Sequence, residues 1–161
     1  MTKSSRLILT VLLIGLGIHG SCAWAEGSSP EAVAKKFTKA YFMLDNSMAG
    51  YLSEDARVDE EDRDAVEVYL RIKEVEAENR GYGRNYLRML PLLIKTEVKE
   101  MDDSSASVKL DAVMIRSINP LYRIVGYIFC LLQEHEVETV INLIKEDGEW
   151  KIGPGAFDMP V

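Results

Sequence analysis

The feature that most constrains this chain is a change of hydrophobic period at Pro91. Before it, apolar residues recur every three or four positions: Val33, Phe37, Tyr41 and Leu44, then Val68, Ile72 and Val75 beside Ala65 and Tyr69. Such spacing puts one stripe on a helix, and it predicts helices over about 30–46 and 64–80. After Pro91 the period is two. Ile94, Thr96 and Val98 alternate with Lys95, Glu97 and Lys99, and Ala106, Val108, Leu110, Ala112 and Met114 alternate with Lys109 and Asp111. With "DDSS" as the reversal between them, these segments predict a long antiparallel hairpin with one buried face. A chain that is helical first and extended afterwards cannot bury either half alone, so the halves must cover each other.

Local signals sharpen this order. Ser28 stands three residues before Glu31, a capping-box spacing, and Pro30 suits a first helical turn. Met48 and Leu52 extend the first stripe past Gly50. The acidic stretch 52–64 lacks the alternating ligands and glycine of a calcium loop and reads as a solvated connection. Asp64 caps the second helix, which ends near Gly81 and Gly83, and "RNYLRML" adds a short helical turn. The run "LYRIVGYIFCLL" (121–132) is apolar on both sides of a pleat, and its β-branched and aromatic residues around Gly126 predict a doubly buried strand. "VETVINLIKEDGEWKIG" supplies a strand over 137–145, a tight turn at Asp147–Gly148 and a short return strand.

The amino end carries Lys3 and Arg6, a short apolar run over 7–18, and small residues in "GSCAWAEG". A spanning helix needs roughly 17–25 apolar residues, so this segment reads as a signal peptide over 1–25, cut between Ala25 and Glu26. A lipid anchor at Cys22 is the minor alternative, because His19 suits a lipoprotein motif badly. The mature chain, 26–161, is expected to be one domain in the periplasm or outside the cell, with no transmembrane span. Losing Lys3 and Arg6 takes the formal charge from −7 to −9, which argues against nucleic acid as a partner. Cys130 alone remains of the cysteines and His135 alone of the histidines. No internal disulfide can form, no metal set is apparent, and no cofactor fingerprint is present.

Within this order the ending "VINLIKEDGEWKIGP" resembles the closing hairpin of the NTF2-like superfamily, and the likeness extends from Ser28 to Gly153. The resemblance implies an α+β cone: two or three helices packed into a strongly curled four- to five-stranded antiparallel sheet, cystatin-like in outline. It further implies a pocket at the open end and homodimer formation through the outer sheet face. No catalytic residue of the enzymatic relatives carries over.

From the residues themselves, Asn142, Tyr41 and Tyr69 are the candidate ligand-binding groups. Asn142 interrupts an apolar strand on the side of Val140 and Ile144, and the tyrosines offer hydroxyls at a pocket rim. Asp111 paired with a tyrosine is the best available acid–base couple, although the alternation places it beside Lys109 on the wet face. His135 reads as an exposed histidine in an acidic setting, at a strand end beside Glu134 and Glu136. The expected role is binding of a small apolar molecule or a protein partner, without catalysis. The alternatives are a cofactor-free isomerase or dehydratase acting on a small hydrophobic substrate, and a lipid-anchored envelope accessory.

Overall fold

The computed structural model describes residues 28–116, 120–129 and 133–159. The expected cleavage site at Ala25 and Glu26, together with Cys22 and Cys130, lies outside them. Helix α1 (Pro30–Phe42) leads into a 3₁₀ segment (Asn46–Tyr51), a single-turn helix α2 (Glu54–Arg57), helix α3 (Ala65–Asn79) and a second 3₁₀ turn (Arg84–Leu87). Strands β1 (Met89–Met101) and β2 (Ser105–Arg116) follow, then helix α4 (Pro120–Ile128), and finally β3 (Glu134–Glu146) and β4 (Glu149–Ile152). The strands form one antiparallel sheet in the order β1-β2-β3-β4.

The caps show how sequence becomes structure. Pro30 does open α1, but the capping side chain is Ser29, whose hydroxyl accepts from the Ala32 N–H at 3.3 Å, rather than Ser28. Leu44 adopts φ 51° and ends the helical path. Met48 and Leu52 are therefore buried from the 3₁₀ segment and its cap, not from a longer α1. Asp64 caps α3 by accepting from Glu67 N–H at 2.9 Å. The connection over 52–64 contains α2, capped by the buried Ser53. Asp59 closes the loop after it, accepting from the Arg63 backbone at 2.9 Å and side chain at 2.8 Å.

The β1–β2 reversal is held by Asp102. Its carboxylate accepts from the backbone N–H of Ser104 and from the hydroxyl and N–H of Ser105, and these bonds, that of Ser104 N–H foremost, pull its pKa down to about 2. At the β3–β4 turn Asp147 and Gly148 take φ 50° and 84°, the left-handed pair that a two-residue hairpin requires.

The inner sheet face carries Val108, Leu110, Met114, Leu143 and Ile152, all nearly inaccessible. Helix α1 crosses that face and touches all four strands, burying Val33, Ala34, Phe37 and Tyr41. At the other side of the sheet Lys109 bridges Asp111 (3.2 Å) and Glu138 (2.7 Å), so Asp111 is an outer-face ion-pair member, remote from the tyrosines. The exposed edge of β4 is partly covered: Ser53 N–H donates to Ile152 carbonyl at 2.9 Å beside a parallel bridge between Leu52 and Ile152.

Three expectations are corrected here. First, residues 120–128 are helical. Pro120 occupies the start of that helix, and a continuous apolar run has no period that separates a buried strand from a helix. Second, the sheet has four strands and is open, with β1 at one edge and β4, bridged only by Leu52, at the other, so it is not the strongly curled cone. Curling needs bulges across successive strands. Register shifts occur within β1, whereas the β2–β3 ladder runs unbroken from Ser105–Ile144 to Ile115–Glu134. Third, α3 buries Val66, Tyr69, Leu70 and Ala77, leaving Ile72 and Val75 exposed. The helix carries two apolar stripes, and the one not chosen from periodicity meets the body.

Truncation should separate these layers. Phe37→Ala should lower unfolding stability by about 3–5 kcal/mol, as expected for an aromatic removed from a close-packed core. Val140→Ala on the outer face should change it by under about 0.5 kcal/mol. Urea unfolding followed by circular dichroism measures both.

Candidate functional site

Two of the three predicted site residues converge. Tyr41 comes from the last turns of α1 and Tyr69 from the second turn of α3. Their rings stack at 4.7 Å between centroids with planes 21° apart. Phe157, from the turn that follows β4, completes the cluster at 5.2 Å from Tyr69 and 6.2 Å from Tyr41. The Tyr41 hydroxyl donates to the Phe157 carbonyl at 3.4 Å, tying the C-terminal turn to α1. Phe157 is the residue that sequence reasoning missed. Its signal was present: a lone aromatic following the glycines of "GPGAFD", downstream of the last strand.

The cluster forms one wall of an open cleft of about 440 Å³. Val68, Ile72 and Met159 extend its apolar surface, and Asp59, Lys73 and Asp158 stand around it. Thus the α3 stripe that is absent from the core instead reaches this cleft through Val68 and Ile72. Asp158 is exposed.

Burial sets the electrostatics of the two phenols. Desolvation is the main reason that both pKa values are raised, with a smaller contribution to Tyr69 from the Tyr41 ring beside it. Both hydroxyls therefore stay protonated at any physiological pH. They can offer and accept hydrogen bonds to a ligand but cannot serve as bases there.

Asn142 is elsewhere. It shares a side with Val140 and Ile144, as expected, but that side is the outer face, where Asn142 is exposed opposite Ser107. Its backbone carbonyl accepts from Gly153 N–H at 2.8 Å, and it borders a small hollow of about 140 Å³. His135 stands at the start of β3, the strand end expected of it, paired with Met114, but it is half-buried where exposure was expected. No group of three or more metal-ligating side chains occurs among the described residues. Among the same residues no helix is long and apolar enough to cross a membrane.

No family model matches the chain, and no curated protein matches it. Among solved structures, an NTF-2-like protein of unknown function from Shewanella oneidensis MR-1 is similar. It shares 13% identity over 74% of this chain and 88% of that one, with a TM-score of 0.41. A likeness at that level assigns neither a family nor an activity.

The raised phenol pKa values have a stability consequence with a definite sign. Above about pH 10 an unfolded tyrosine loses its proton, while Tyr41 and Tyr69 keep theirs in the fold. The unfolded state then binds fewer protons than the native state, so stability is intact below that pH and falls as pH rises through it. In an ultraviolet difference titration, two of the seven tyrosines should ionise only together with alkaline unfolding.

Proposed function

We propose that the protein is an exported, non-enzymatic binding domain that holds a small apolar molecule in the Tyr41–Tyr69–Phe157 cleft. The observation that carries this reading is the cleft's construction from three elements distant in sequence. Side chains from α1, α3 and the final turn meet as a pre-formed stack of aromatic faces, with two neutral hydroxyls and an aliphatic rim. Flat aromatic walls favour a flat or aliphatic guest, and polar groups in small number fix its orientation. The basic amino end and the short apolar run before "AWAE" support export. The exposed apolar side chains of α4, Ile124, Tyr127 and Ile128, with Phe129 just past its end, suit contact with another chain, with a homodimer the simplest case.

The competing reading is a cofactor-free isomerase or dehydratase. Asp158 lines the same cleft as Tyr41, which is the pairing such chemistry would use. Its exposure favours binding, because such chemistry needs the carboxylate enclosed with its partner away from water.

Native mass spectrometry of protein purified from its own envelope fraction tests the proposal. The expected result is a mature chain starting at Glu26 with a retained small molecule. Ile72→Asp should release that molecule without unfolding the protein, because Ile72 is 58% exposed yet lines the cleft. An empty wild-type protein that also takes up no apolar probe would sink the binding reading. A diacylated Cys22 would replace export by lipid anchoring.

A further inference from the structure

A second cavity, of about 310 Å³, lies on the other side of Tyr69 and shares that residue and Lys73 with the aromatic cleft. Strand alternation explains its lining. The inward stripe of β2, Ala112 and Met114, continues to Arg116, and the inward stripe of β3 continues backwards from Val137 to His135. Two positions of the core pattern are thus filled by an arginine and a histidine where the sheet's inner face ends. Facing them are Lys73 and Arg80 from α3, one helical face apart by seven residues.

In a chain of net charge −7 this is a concentration of positive charge. Glu76 is the one carboxylate among the lining residues, and it is already bridged by Lys73 Nζ at 3.0 Å and Arg80 Nη2 at 2.7 Å. Among the described residues, Arg116 has no carboxylate within ion-pair distance. Its guanidinium lies over the Tyr86 ring at 4.4 Å, and Tyr86 is itself stacked on Tyr82 at 3.9 Å. Contact with the ring holds the guanidinium in place without using a carboxylate, and it leaves N–H donors for an anion. Phe42, Leu44 and Met89 line the rest of the cavity. A solvated groove edged by surface cations would need neither the stack nor those apolar walls.

The geometry points to a carboxylate-binding subsite: Arg116, supported by Lys73, Arg80 and His135, receives the head group of a small amphipathic acid whose apolar body rests on Phe42, Leu44 and Met89. This goes beyond the binding reading above, because the cavity is a second one that meets the aromatic cleft only at Tyr69 and Lys73.

Isothermal titration of the mature chain with sodium octanoate, 1-octanol and inorganic phosphate, combined with amide chemical-shift mapping, tests it. Octanoate should bind with shifts around Arg116 and His135. Octanol should bind at least about tenfold more weakly, the least that loss of a charge-assisted hydrogen bond produces. Arg116→Gln should weaken octanoate by a similar factor with its circular dichroism unchanged, and Arg116→Lys should fall between, keeping the charge but losing the fork. Phosphate at equal concentration should not displace octanoate. Equal binding of octanol and octanoate near Tyr69 would leave the binding reading standing and overturn the carboxylate subsite. Displacement by phosphate would overturn it too, by making the site one for inorganic anions. Failure of octanoate to bind would overturn the carboxylate subsite and leave the aromatic cleft to the Ile72→Asp test.

Discussion

The structure depends on α1 lying across the inner face of the sheet. Phe37 and Tyr41 reach down from the helix onto strands that offer Val108, Leu110, Met114 and Leu143, and none of these residues retains more than a trace of solvent contact. Burying such side chains is worth about 1.5–3 kcal/mol each against exposure, less the conformational entropy of ordering them. The same contact sets the site, because α1 delivers Tyr41 to the place where α3 and the C-terminal turn bring their own rings.

How far this was legible in the sequence follows from the physics of each segment. Alternation from Ile94 to Val98 and from Ala106 to Met114 has one solution when one face is wet, and the antiparallel hairpin is as expected. Asp147–Gly148 likewise admits few backbones. Legibility ended where one residue type satisfied two patterns. Residues 121–132 are apolar without a period, so composition was left to decide and chose a strand where α4 stands over Pro120–Ile128. On α3, two overlapping stripes shared Ala65 and Tyr69, and periodicity alone could not say which met the body. Tertiary packing chose Val66 and Leu70.

The site shows the same division. Tyr41 and Tyr69 were identifiable as aromatic residues on helical stripes, and they do meet. Asn142 was assigned to the correct set of alternating residues, but which set faces inward is a property of the assembled sheet, and its set faces out. Arg116 and His135 were recoverable in principle by extending the inward stripes two residues beyond the last apolar member. Charge at those positions made them look like the ends of the pattern when they are its continuation.

The tether between Tyr41 and the Phe157 carbonyl makes the chain's final turn a wall of the aromatic cleft. Met159 is part of the same rim, so bulk joined at that residue stands beside the opening. A purification tag fused there would crowd the doorway, and a weak guest could be missed for that reason alone.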